Sequence, residues 1–169
     1  ETLLLPAKTL TKEYILKLIQ ATEDGQLAPM IDVKTYFTSA DGPQCEINKY
    51  YFNNKLIKFS YGCGDCSQYL TEEIFYVQND TLVGTISKET WFNYPPCLSE
   101  EEEKAQGITQ KDIEKKIKTR YFFYYALDTA QFRFATKLNF PDKDYSEYHP
   151  LEPLSVLNHA QNILNECSQ

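Results

Sequence analysis

The chain of 169 residues carries 24 acidic against 17 basic side chains, a net charge of −7, with 42% hydrophobic and 24% charged residues. That balance supports one domain with a real core and argues against global disorder. It also argues against nucleic-acid binding, because a net anion repels phosphate backbones; no apolar run reaches the length of a transmembrane helix.

The spacing predicts a first helix over Lys12–Glu23, capped by Thr11, with Leu10 stapled onto Ile15 and Tyr14, Ile15, Leu18 and Ile19 as one apolar stripe. Gly25 supplies a stop. Strand signals begin near Ile31 and break at Asp41-Gly42-Pro43. Three hairpin patterns follow, each an aromatic or β-branched run, a turn, then a second apolar run. The first is Tyr50-Tyr51-Phe52, Asn53-Asn54-Lys55, Leu56-Ile57-Lys58-Phe59. The second runs over 70–87 around Gln78-Asn79-Asp80, and the third over 121–134 around the turn 126–130.

For the first hairpin a three-residue loop, Asn53 to Lys55, segregates the faces best. Phe52 then faces Leu56, Tyr51 faces Ile57, Ile47 faces Tyr61, and Cys45 faces Cys63. Ile47, Tyr51, Ile57, Phe59 and Tyr61 read as core; Glu46, Asn48, Tyr50, Lys58 and Ser60 read as exposed. Between the second and third hairpins, the stretch 95–107 reads as a proline-rich, acidic insertion, since Pro95-Pro96 oppose a central strand. Ser99 with Glu102 opens a short helix there through a capping box. The basic cluster of Lys115, Lys116, Lys118 and Arg120 reads as a solvated face. A last helix follows Pro153, with Val156, Leu157, Ala160, Ile163, Leu164 and Cys167 on one side.

The fold expected is α+β: residues 1–169 as a single domain, an antiparallel sheet of six or seven strands built from successive hairpins. The N- and C-terminal helices are expected on one sheet face, leaving the other partly open.

Little in the chain speaks for chemistry. Cys63-Gly64-Asp65-Cys66 lacks the following helix that a redox-active thiol needs and the second ligand pair that zinc needs. The acidic run 100–103 lacks the alternating ligands of a calcium loop. His149 and His159 sit in no nucleophile context, and the six glycines form no phosphate loop. No catalytic, metal or cofactor-binding residue is assigned. Cys45, Cys63, Cys66 and Cys97 are disulfide candidates, with Cys45 reaching Cys63 across the hairpin base or, alternatively, Cys66. Cys167 reads as a buried thiol, a bridge to Cys97 being the alternative. Tyr50 and Tyr124 or Tyr125 are the candidates for an exposed recognition surface, since Tyr provides contact area at low entropy cost.

Tyr-Tyr-Phe-Asn-Asn-Lys-Leu-Ile-Lys-Phe at 50–59 resembles a motif of small exported bacterial proteins of uncharacterised function, which carry a Tyr-Tyr-Phe-Asp-Asn-Gly-Lys-Leu type repeat several times over. The chain departs from it by lacking the turn Gly and by the segment 126–130 in the third turn. The resemblance implies export and an antiparallel sheet, and no activity. Five cysteines also suit an oxidising compartment. The expected function is therefore an exported, non-catalytic binding protein in the periplasm, envelope or medium, of inhibitor or immunity type, with a protein partner. A lipid anchor upstream of Glu1 would leave no trace in this sequence. The alternatives are a carrier of a small apolar or aromatic ligand and a carboxylate hydrolase.

Overall fold

The computed structural model describes the chain apart from residues 9, 25–29, 39–44, 65–68, 96, 110–111, 113–114, 125–131, 139–152 and 167–169, with backbone alone at 12, 69, 88–91, 115–124, 132–138 and 153. Five strands form an antiparallel sheet in sequence order: β1 (Ile31–Phe37), β2 (Cys45–Phe52), β3 (Lys55–Cys63), β4 (Tyr69–Gln78) and β5 (Thr81–Phe92). The helices are α1 (Lys12–Glu23), α2 (Glu100–Gln106) and α3 (Pro153–Glu166). Extended backbone follows α2 over Lys115–Tyr124 and Phe132–Leu138.

The β2–β3 and β4–β5 hairpins are built alike. Each turns on two residues in the left-handed region, Asn53 and Asn54 (φ 50° and 62°) and Asn79 and Asp80 (φ 49° and 62°). Asn and Asp tolerate that conformation, and its twist matches that of the flanking strands. Phe52 pairs with Lys55 and Gln78 with Thr81. One pair later each ladder takes up an extra residue. Tyr51 pairs with Leu56 but Tyr50 with Lys58, and Val77 pairs with Leu82 but Tyr76 with Gly84. Ile57 and Val83 are thus left over as bulge residues.

This corrects the three-residue loop expected for the first hairpin. The turn is one residue shorter and the bulge restores that residue on β3. Ile47 therefore still faces Tyr61 and Cys45 still faces Cys63.

The expectation that both helices cover one face is also corrected. Along β4, Phe75 and Val77 join a core with Ile47, Leu56, Phe59, Leu82 and the α3 residues Val156, Ala160, Ile163 and Leu164. The alternate residues Ile74 and Tyr76 join Val83, Ile86 and the α1 residues Ile15 and Ile19. Since successive strand side chains point to opposite faces, α1 and α3 lie on opposite sides of the sheet. The physical reason is the four-residue apolar run of β4, Ile74 to Val77, buried throughout. A strand that is apolar on both sides requires cover on both.

Local signals place the helices. The Thr11 hydroxyl accepts the Tyr14 N–H at 3.2 Å, and Leu10 packs on the cluster containing Ile15. The Ser99–Glu102 capping box starts α2, and Gly107 ends it at φ 65°. Ser60, read as exposed, is 9% exposed, because it shares the α1-side face with Ile74, its neighbour on β4. β5 runs beyond the expected end at 87, to Phe92. The expected stop at Gly25 lies outside the described residues.

At the amino end, the Leu4 N–H donates to the Asp80 carbonyl and the Leu82 N–H to the Leu4 carbonyl, each at 2.8 Å, in a parallel bridge between Leu4 and Thr81. Leu3 thereby enters the α3-side core.

Candidate functional site

Among the described residues, the α1-side face is covered over β4 and β5 and left open over β1 and β2. Pairing sets three rows of side chains across it. Val33 lies beside Tyr50 and then Lys58; Thr35 beside Asn48 and then Ser60; Phe37 beside Glu46, Gly62 and then Glu72. Phe37 and Val33 are 63% and 51% exposed, although strand signals in the sequence would equally suit a buried edge. Glu46 and Glu72 are exposed.

The border between the covered and open halves is polar. Glu23, at the end of α1, accepts hydrogen bonds at its Oε1 from Lys58 Nζ and from the Tyr76 hydroxyl, both at 2.8 Å. The same Lys58 ammonium stands 4.5 Å from the centroid of the Tyr50 ring. Tyr50, expected on a recognition surface, is thus half-buried on the open strip, held by a cation–π contact. In the middle row the Thr35 hydroxyl donates to Asn48 Oδ1 and Asn48 Nδ2 donates to Glu46 Oε1, both at 2.6 Å. These bonds fix the Glu46 carboxylate beside Phe37. Of the other expected surface tyrosines, Tyr125 and the Tyr124 side chain lie outside the described residues.

The disulfide expectation resolves in part. Cys45 and Cys63 are bonded, with Cα atoms 4.2 Å apart. That short separation belongs to a directly opposed, non-hydrogen-bonded pair. Cys97 is also disulfide-bonded, and its partner lies outside the described residues. Cys66 and Cys167 lie outside them too. With Cys63 tied to Cys45, the Cys63-to-Cys66 spacing is not that of a dithiol pair.

On the α3 side, His159 Nε2 lies 2.8 Å from Glu73 Oε2, and its ring meets the edge of Phe75 at 6.1 Å between centroids. Neighbouring Tyr61 has its ionisation pushed up, by burial first and then by the Glu166 and Glu73 carboxylates. The imidazole paired to Glu73 ties α3 to β4, while the Tyr61 hydroxyl donates to Cys45 Sγ at 3.4 Å, within the sheet.

A cleft of about 470 Å³ opens between the amino end and α3, where Leu3 and Leu157 line it together with Glu1, Thr2, Asn158, Gln161 and Asn165. Gln161 accepts the Leu3 N–H and donates to the Glu1 carbonyl, each at 2.8 Å. Burial lifts the Glu1 carboxyl, but hydrogen bonds from Tyr51 and Lys49 outweigh it and hold the group below its usual range. The cleft is mixed in character, with two leucines beside amide and carboxylate groups.

Among the described residues, no group of three or more His, Cys, Asp or Glu side chains is placed to hold a metal ion, and no helix is long and apolar enough to cross a membrane. Comparison of the chain with protein families, with curated proteins and with solved structures finds no match.

Proposed function

We propose that this chain is an exported, non-catalytic binding protein that holds a cationic protein partner on the open strip over β1 and β2, as an inhibitor or immunity protein does. The observation that carries the reading is one row of side chains. Phe37, 63% exposed, stands directly beside Glu46, and Glu72 follows in the same row two strands on. An exposed aromatic anchor flanked by carboxylates suits a basic protein surface. Two strand spacings place Glu46 and Glu72 roughly 10 Å apart, which suits two separate Lys or Arg side chains rather than one chelated ion.

Export is supported by the Cys45–Cys63 disulfide, which persists in oxidising compartments. The resemblance of residues 50–59 to exported bacterial hairpin proteins points the same way. We also take the sheet to continue beyond five strands, with β6 (Lys115–Tyr124) beside β5 and β7 (Phe132–Leu138) beside β6. That extension lengthens the sheet away from the strip and leaves the strip's edge unchanged.

The test is calorimetric titration against a panel of basic secreted hydrolases and toxins at low and high salt. A 1:1 complex weakened by salt, by Phe37→Ala and by Glu46→Gln with Glu72→Gln supports the reading. Binding to no member of the panel, or a complex indifferent to those substitutions, overturns it.

A further inference from the structure

β1 ends the sheet with an edge that no described residue pairs, and its sequence is complementary to itself. The Thr38 N–H donates to the Cys45 carbonyl at 2.9 Å. Alternation then turns the backbone groups of Asp32, Lys34 and Tyr36 toward β2, and those of Ile31, Val33, Thr35 and Phe37 outward. Asp32, Val33, Lys34 and Thr35 are all exposed, and Met30, just before the strand, is 62% exposed. An outward row of amides and carbonyls on an exposed strand is a template for another strand.

We propose that this edge pairs with the β1 edge of a second copy, antiparallel about a two-fold axis through Val33. A symmetric pairing must set outward-facing residues against outward-facing ones, and three registers keep most of the strand Ile31–Phe37 paired, those centred on Val33, Lys34 and Thr35. Centred on Thr35, the pairing sets Lys34 against Tyr36 and leaves Asp32 facing no opposite charge. Centred on Lys34, it opposes two ammonium groups. Centred on Val33, it sets Asp32 of each copy against Lys34 of the other, Ile31 against Thr35 and Met30 against Tyr36, while the two Val33 residues exchange backbone hydrogen bonds. Lys34 already leans over the Tyr51 ring, 5.1 Å from its centroid, and Asp32 pairs with Tyr51 along the β2 ladder, so both charges stand on the same face. The join makes one sheet of the two copies. It goes beyond the partner reading above and is independent of it, because the α1-side strip stays uncovered in the dimer.

The test is sedimentation equilibrium of the full chain across a wide concentration range, with circular dichroism to check that each variant is folded. The expected result is a monomer–dimer equilibrium. D32K and K34D each weaken it by about tenfold or more. The double variant D32K/K34D restores it, since each new Lys then faces a new Asp. V33P removes the outward N–H without touching the β2 ladder and abolishes the dimer. A protein that is monomeric at every concentration overturns the proposal. So does a dimer that survives V33P, ignores the single reversals or is not restored by the double one.

Discussion

Against α3, the sheet is covered from β2 to β5, with Tyr36 of β1 packed at the margin: Tyr36, Ile47, Phe59, Phe75 and Leu82 all belong to or pack on one core, while Asp32 and Lys34 on the same side of β1 are exposed. Against α1, cover runs over Ile74, Tyr76, Val83 and Ile86 and stops where Glu23 meets Lys58. The two helices differ little in length, so length does not explain the contrast. What differs is the sequence beneath. On β2 the α3-side positions are Cys45, Ile47, Lys49 and Tyr51, all buried or half-buried, whereas the α1-side positions include Glu46 and Asn48. One face of β2 is therefore committed to the core and the other is polar and more open.

The largest expected effect comes from removing Phe59, fully buried and stacked on Phe75 with centroids 4.7 Å apart. Phe59→Ala is expected to cost about 3–5 kcal/mol in urea unfolding, and Phe37→Ala on the open side less than about 0.5 kcal/mol. Similar losses at the two positions would erase the contrast between the faces. Next comes the disulfide on the covered side. It spans a sequence separation of 18, and a loop of that size implies a loss of about 3 kcal/mol in Cys45→Ala with Cys63→Ala. A loss confined to a few tenths in the same unfolding assay would mean that the hairpin base is held by packing alone.

A smaller effect is expected at the turn. Asn54 sits at φ 62°, so Asn54→Val is expected to cost roughly 1–2 kcal/mol, while Asn54→Gly stays near neutral. A Val variant that unfolds like the parent would show that the turn has relaxed to the longer loop. The smallest effect lies off both faces, on α2. The Ser99 backbone N–H, and then its hydroxyl, hold the Glu102 carboxyl below its ordinary value of 4.5. The capping contribution is therefore whole above that value and lost as pH falls through the lower folded one. A carboxyl-carbon NMR titration should place the Glu102 midpoint below 4.5; a midpoint at or above it would remove the capping box.

Much of this architecture can be read in the chain before any coordinates. Thr11, Ser99 and Glu102 are local signals, and local signals place helix starts well. The distal register of β2 and β3 can also be read, because face segregation constrains Ile47 and Tyr61 whatever the turn does. The turn itself hides from that reasoning. A two-residue loop plus one bulge residue, Ile57, gives the same distal pairing as a three-residue loop. The side on which each helix packs is hidden too, since an apolar stripe says that a helix must be covered and not by what. One signal could have settled it: Ile74-Phe75-Tyr76-Val77 does not alternate. Such a run needs apolar cover above and below. The open strip is the least legible part, because Val33 and Phe37 look like any strand's core residues until the extent of α1 is known.

The β2–β3 hairpin is closed at both ends, by the Asn53–Asn54 turn at one and by the Cys45–Cys63 bond at the other. The segment between the two cysteines is thus a covalent ring laid within the sheet. A protease that cuts this ring once, at its exposed tip, releases nothing: the two fragments stay joined by sulfur and by their ladder. The nick stays hidden on a gel until a reductant separates the halves.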